Sequence, residues 1–394
     1  MSARVALCVA GLLTLSASPP ASAGDLREFL ASAWPTASAA GVSRALFDAT
    51  TDGLVADPAV EALAHRQPEF GKPLGAYLAA QVTPARVAQG RRLLGRWATA
   101  LAATERDTGV PASIVVAVWG LESNFGASAG SKDVIRSMAT LGAAGVRPDL
   151  YRGELVAALR LLQDGAVTRD QLRGSWAGAM GQPQFMPSSY AAFAADGDGD
   201  GRRDIWGDVP DVLASVGAFL RAKGWVAGRP WGMPVTLPRG FDPSQGRAGF
   251  ATWRARGVVR TDGAPLPESG EGILFFPAGA DGPAFLVTEN YEVLKSYNFS
   301  DAYVLAVADL ADRMAGNPAP AGRWPATVGM GRPDRIALQA RMAALGYAVD
   351  NREGRISLAF RDQVRLAQRR VGLTPDGNPT DTLLRALAGT TSAP

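Results

Sequence analysis

Apolar residues recur at three- and four-residue spacing through most of this chain, which predicts a largely helical protein. From residue 25 to 110 the pattern is interrupted at short intervals, as expected for a series of helices joined by brief turns. Thr83-Pro84 is a good start for one of them, because proline suits the first helical turn. Val87, Leu93, Leu94, Trp97 and Leu101 then follow at near-helical spacing. A further helix is predicted from Pro111 to Glu122, with Ile114, Val115, Val118 and Leu121 on one apolar face. Residues 150–163 and 208–223 read as helical, and the pattern returns from Ala302 to Met314.

The period changes at about Arg229. Proline and glycine become frequent, and short β-rich runs stand at Pro234 to Leu237, Gly272 to Phe276 and Ala284 to Thr288. This predicts a strand-rich insertion of about residues 229–290 in a helical domain. The Pro/Gly/Ala segment that begins at Ala315 reads as a linker over 315–330. Beyond it, Leu338, Met342 and Leu345 form one stripe, and Phe360, Val364, Ala367 and Val371 a second. Leu383, Leu384 and Leu387, after a Thr380 cap, form a third. The expected fold class is mainly α (α+β): a helical domain over 24–314 and a three-helix module over 331–390.

The N-terminus carries a different signal. Arg4 is a short basic region, Val5 to Leu15 an apolar run, and Ala21-Ser22-Ala23 a small-residue cleavage site, so residues 1–23 read as a secretory leader. The apolar run is too short for a membrane span. Leu7 is too large to precede a lipoprotein cysteine, so no lipid anchor is expected, and the expected location is the periplasm. The single cysteine, Cys8, lies inside this leader, so the remaining chain has no thiol chemistry. The net charge is only +3, and the basic residues are dispersed, which argues against nucleic acid as a partner. The one histidine, His65, sits in a polar Arg-Gln-Pro-Glu context and reads as a surface or boundary residue, which argues against His-based triads, His-based acid catalysis and His-ligated zinc.

Candidate chemistry centres on Glu122, in Trp119-Gly120-Leu121-Glu122-Ser123-Asn124-Phe125-Gly126. It stands at the C-terminal end of its predicted helix, with Gly126 as the expected stop. The negative end of the helix dipole and the neighbouring Trp119, Leu121 and Phe125 would disfavour the ionised carboxylate, as a general acid near neutral pH requires. The alternative is an exposed polar helix end. Fifty residues on, Gly174-Ser175-Trp176-Ala177-Gly178-Ala179-Met180-Gly181-Gln182-Pro183-Gln184-Phe185-Met186-Pro187-Ser188 packs small residues, aromatics and amides into one loop. Such a loop suits a sugar with hydroxyl edges and an acetamido group; a plain Gly-rich turn is the alternative.

These two stretches, with Asp196-Gly197-Asp198-Gly199-Asp200-Gly201 and the following Arg202-Arg203-Asp204-Ile205-Trp206, resemble the lytic murein transglycosylase B family over roughly residues 25–315. The resemblance implies a lysozyme-like helical fold that cleaves the MurNAc–GlcNAc bond of peptidoglycan, with Glu122 as the single catalytic acid/base. It also implies Ser175 and Gln184 as substrate contacts, and Tyr297, Asn298 and Tyr303 as a further active-site segment. Ordinary glycosidases place two carboxyl groups across the bond, and no second acid is tied to this motif. One carboxylate suffices if it protonates the leaving oxygen and then takes the proton of the same sugar's C6 hydroxyl, closing a 1,6-anhydro ring. A hydrolytic muramidase and a silent wall-binding scaffold are the alternatives.

Asp196, Asp198 and Asp200 also match the first half of an EF-hand loop, but position twelve is Gly207, so Asp208 or Asp211 would have to close the shell. Relatives that carry calcium here favour Asp211. The expectation is a weak structural Ca²⁺ site; the alternative is a solvated turn with Asp204 paired to an arginine. No cofactor is required by this chemistry. The C-terminal module resembles the peptidoglycan-binding type 1 domain through Arg335 to Gln339, Leu345-Gly346-Tyr347 and Gln368 to Leu373. Glu353 and Ser357 depart from its pattern. A packing domain that binds nothing is the alternative. The expected partners are glycan strands, with other cell-wall enzymes left open, and the chain is expected to act as a monomer.

Overall fold

The computed structural model describes residues 23–64, 72–320 and 322–390. The leader reading, apart from Ala23, and His65 lie outside them. Among the described residues, six helices lie in the first third: Ala23–Ala39, Arg44–Thr51, Pro58–Ala64, Leu74–Gln81, Pro84–Arg96 and Ala98–Thr108. Thr83 caps the fifth as its sequence suggests: its hydroxyl accepts from the Arg86 amide at 3.2 Å, which satisfies an otherwise orphaned helix-end donor.

The next helix, Ala112–Ser123, differs from its predicted one-faced form. Every residue from Ile114 to Gly120 is buried, while Leu121 is only half-buried. Pro111 is its N-cap and does not enter the first turn. The reason is position: Pro84–Arg96, Ala98–Thr108, Val209–Ala222 and Asp301–Met314 all pack around it. A helix enclosed on all sides needs apolar residues all round. Full burial of each Val, Ile or Trp here contributes roughly 1.5–3 kcal/mol.

Seven strands occur among the described residues. β1 (Lys132–Asp133) and β2 (Arg173–Gly174) form a small antiparallel pair. β3 (Gly232–Thr236), β4 (Arg247–Gly249), β5 (Val259–Arg260), β6 (Glu271–Phe275) and β7 (Ala284–Val287) form one antiparallel sheet in the order β4-β6-β7-β3-β5. Side chains alternate across it. Ile273, Phe275, Phe285 and Val287 join the main helical core. Met233, Val235, Leu274 and Leu286 build a second core with Phe250 and Trp253. The insertion is therefore a sheet buried on both faces.

The C-terminal helices Arg332–Ala344, Leu358–Arg370 and Asp381–Ala388 close around Leu338, Met342, Leu345, Phe360, Val364, Ala367, Leu383 and Leu387. Val371 and Leu384 pack at the edge of this core. The linker before them is held down. Trp324 stacks near Phe285 at 6.3 Å between ring centroids, and a Cβ at Gly75 would lie 2.4 Å from the Trp324 Cβ. The module itself docks on the sheet and on the helix Glu289–Lys295: Arg247 pairs with Asp362 at 2.5 Å, Arg365 donates to the Leu274 carbonyl, and the Leu358 amide donates to Glu292 at 2.8 Å.

Candidate active site

Glu122 is the penultimate residue of Ala112–Ser123. The predicted stop at Gly126 comes two residues late. Asn124 is the cap, at φ 50° and ψ 50°, and its amide donates to the Gly120 carbonyl at 3.1 Å. Asn124, Phe125 and Gly126 all have positive φ. That is tolerated by Asn, natural for Gly and costly for Phe. The Phe125 ring repays it by burial. It lies edge-on to Trp119, with centroids 5.6 Å apart, and over Gly120, where a Cβ would come within 2.7 Å. The tight reversal leaves Glu122 half-buried at the rim of the core.

Tyr303 donates its phenol hydrogen to Glu122 Oε1 at 2.5 Å. It projects from the first turn of Asp301–Met314 and is 5% exposed. Burial and the Glu122 charge push the Tyr303 phenol well above its ordinary pKa, so it remains a donor. Tyr297 stands nearby. Burial, with Glu122 adding to it, raises its phenol likewise, and its hydroxyl donates to the Pro183 carbonyl at 2.8 Å. Its ring packs on Phe219 at 4.7 Å and Phe185 at 6.1 Å. Glu122, Tyr297 and Tyr303 thus come together from three separate elements.

The glycine-rich loop is built against this corner. Met180 bridges both Gly174 and Phe185. Ser175 Oγ accepts from the Ala179 amide at 3.1 Å, and the Ser175 amide donates to the Ala179 carbonyl at 2.8 Å. Gln184 has φ 53°, and its Nε2 donates to the Ala129 and Gly181 carbonyls at 2.9 and 2.8 Å. Its amide nitrogen therefore ties the loop to the segment after Glu122. Gln182, which the sequence did not single out, is 8% exposed. Its Oε1 accepts from Trp119 Nε1 at 2.8 Å and its Nε2 donates to the Trp206 carbonyl at 2.8 Å. A Cβ at Gly126 would meet this amide at 2.3 Å, so glycine is required there by contact as well as by φ. Its place inside the glycine-rich motif was the one signal that hinted at this.

Asn298 is exposed, and its Oδ1 accepts from the Ser300 amide at 3.1 Å. With Tyr77, Arg147 and Trp176 it lines a cleft of about 1620 Å³, whose other wall is the C-terminal module, including Arg332, Gly354 and Arg385.

In the aspartate loop, ligand oxygens of Asp196, Asp198 and Asp211 lie within 4.8 Å of one another. Asp200 falls outside this cluster; its Oδ1 accepts from the Arg202 amide at 2.7 Å. Asp196 and Asp198 likewise accept from amides of the loop, Asp196 from Gly199 and Gly201 and Asp198 from Asp200, and three of the four expected aspartates lie in the cluster. Asp208 caps the helix Val209–Ala222, which leaves Asp211 to face the loop. Burial raises the Asp211 carboxyl, against amide bonds from Gly197 at 2.6 Å and Asp204 at 2.5 Å that pull it down. Gly201 and Gly199 amides hold the Asp196 carboxyl below its usual range. Asp204 accepts from the Trp206 and Gly207 amides at 2.9 Å each; among the described residues it pairs with no arginine in a salt bridge.

A model of the transglycosylase SLT domain matches residues 25–312, and one of a peptidoglycan-binding domain matches residues 331–387. SltB3 from Pseudomonas aeruginosa, solved in complex with NAG-anhNAM-pentapeptide, is 42% identical, covers 92% of this chain and 99% of its own, and superposes with a TM-score of 0.80. Escherichia coli Slt35 in complex with calcium is 26% identical over 74% of this chain and 92% of its own, with a TM-score of 0.62. The membrane-bound lytic murein transglycosylase B of Escherichia coli is 32% identical over 241 residues. That match spans 59% of this chain and 65% of the relative's length, just under two thirds. With the family model covering well over half of the sequence and a helical core arranged as in these structures, the chain belongs to the transglycosylase SLT domain family.

Proposed function

We propose that this chain is a lytic transglycosylase that cleaves the β-1,4 bond between MurNAc and GlcNAc in peptidoglycan, with Glu122 as its single acid/base. The observation that carries the reading is the Tyr303–Glu122 hydrogen bond at the end of a fully packed helix. Tyr303 occupies one carboxyl oxygen and orients the other for proton transfer. Glu122 gives its proton to the glycosidic oxygen as the C1–O bond breaks, and the substrate's N-acetyl group stabilises the cationic C1. The carboxylate then accepts the proton of the C6 hydroxyl while O6 bonds to C1. No water is consumed, and Glu122 ends protonated as it began. Ser175, with its hydroxyl hydrogen directed away from the Ala179 amide, and Asn298 at the cleft orient the N-acetyl group. Gln184 and Tyr297 hold the loop that shapes the sugar site. That SltB3 was solved with an anhydro-sugar peptide supports this reading.

In this reading the C-terminal module binds glycan strands of the wall, and the enzyme works in the periplasm. No helix among the described residues is long and apolar enough to cross a membrane. Asp196, Asp198 and Asp211 present carboxylate oxygens only, the donor set that hard cations take; the calcium complex of Slt35 supports a structural Ca²⁺ here. Adding millimolar Ca²⁺ to chelator-treated protein should raise the melting temperature by a few degrees. No shift, or the same shift in Asp211→Asn, would refute the site.

The direct test is digestion of purified sacculi followed by mass spectrometry of the released sugars. Anhydro-muramyl ends are expected from the wild type and none from Glu122→Gln, which should still bind sacculi. Reducing ends would instead indicate a muramidase.

A further inference from the structure

Asp301 opens the helix that carries Tyr303, and its carboxylate is the meeting point of two units. Tyr291 Oη and Lys295 Nζ donate to Oδ1 at 2.8 Å each, from within the catalytic domain. Arg361 Nη2, from the C-terminal module, donates to Oδ2 at 2.8 Å. Arg361 is itself fixed: its Nη1 donates to the Gly377 carbonyl at 3.1 Å, and its guanidinium lies 4.8 Å above the Phe275 ring. Lys295 reaches the other way, to the Ile356 carbonyl of the module at 2.5 Å. The side chains of Lys295 and Arg361 are 1% and 6% exposed. Burial would raise the Asp301 carboxyl, but the two cations outweigh it and hold it well below its usual range.

Ser300, the N-cap of this helix, makes no side-chain capping bond, so the first turn is held through Asp301. Tyr303 follows two residues later, about 200° around the helix and roughly 3 Å along it. One side of the turn therefore grips the module while the opposite side presents the phenol to Glu122.

We propose that Arg361 of the C-terminal module is a positioning residue for the acid Glu122: by anchoring Asp301 it sets the first turn of the Asp301–Met314 helix so that Tyr303 meets the carboxyl. The docked module is then part of the working catalytic unit as well as a wall-binding element. This rests on Glu122 being the acid. It requires Arg361 to act on turnover more than on substrate capture, and to act through Tyr303.

A double-mutant cycle in the full chain tests both requirements. Release of anhydro-muropeptides from sacculi is measured for wild type, Arg361→Met, Tyr303→Phe and the double variant, with sacculus binding and thermal melts alongside. Arg361→Met is expected to lower kcat about tenfold with KM within about twofold. Arg361→Lys, which keeps a cation toward Asp301, should retain about half of kcat. In the Tyr303→Phe background Arg361→Met should cost less than about twofold more. Arg247→Ala, which cuts a different contact of the same interface, should leave kcat within about twofold. Should Arg361→Met not fold, Arg361→Gln takes its place in the cycle. Losses that multiply, a loss confined to KM or binding, or an equal loss in Arg247→Ala would each overturn the anchor. A wild type that releases no anhydro product would instead overturn the activity itself.

Discussion

Glu122 depends on residues whose contribution is conformational. The reversal Asn124-Phe125-Gly126 works because Asn accepts the left-handed region, Phe125 finds a buried slot over Gly120, and Gly126 lets Gln182 pass close by. Gln182 then joins the Trp119 indole to the Trp206 carbonyl. Gln182→Leu removes both bonds and strands a buried N–H and a carbonyl; unfolding in urea should show a loss of about 2–4 kcal/mol. An unchanged midpoint would mean that water replaces the amide. Glu122 was singled out from the end of its helix pattern and Ser175 and Gln184 from the glycine-rich motif, whereas Tyr303 came only from the family resemblance. Gln182 was not legible, since its role depends on where an amide points, which no spacing encodes. Gln184 was read as a sugar contact, and the structure commits its NH₂ group to backbone carbonyls.

The Asp301–Met314 helix gathers more than its length suggests. Asp301 and Tyr303 serve its first turn, while Asp309, buried, and Asp312, half-buried, sit in its last two. Burial raises Asp309 to about 6 despite Arg313, and Asp312 to about 7 despite a bond from Trp231 Nε1. Both values exceed the 3.8 of an ordinary Asp, so the folded state binds more protons than the unfolded chain between about pH 4 and 7. The stability they lend is full below that window and is lost as pH rises through it. Asp312→Asn should therefore raise the melting temperature at pH 8 by about 3 °C and change it little at pH 4.5, by scanning fluorimetry. A uniform shift at both pH values would contradict the assignment. The helix itself was readable from its period, as were β6 and β7 to within one residue. β4 and β5 escaped because two or three residues carry no period, and only pairing with β6 and β3 defines them.

At the scale of the molecule, the division into a helical domain, a strand-rich insertion, a linker and a three-helix module was visible in composition and period. How these parts adhere was not. The bonds from Lys295 to Ile356 and from Arg361 to Asp301 join positions 61 and 60 residues apart. A sequence rich in Pro, Gly and Ala between two modules suggests a string whose length tunes how often both ends find the same strand. Trp324, wedged beside Gly75 and Phe285, removes that freedom. The module and Glu122 then stand like the two jaws of a caliper, set at one gap. Under the proposed function a glycan strand has to fit that gap as it is, so selection among strands falls to shape where a tethered pair would select by proximity alone.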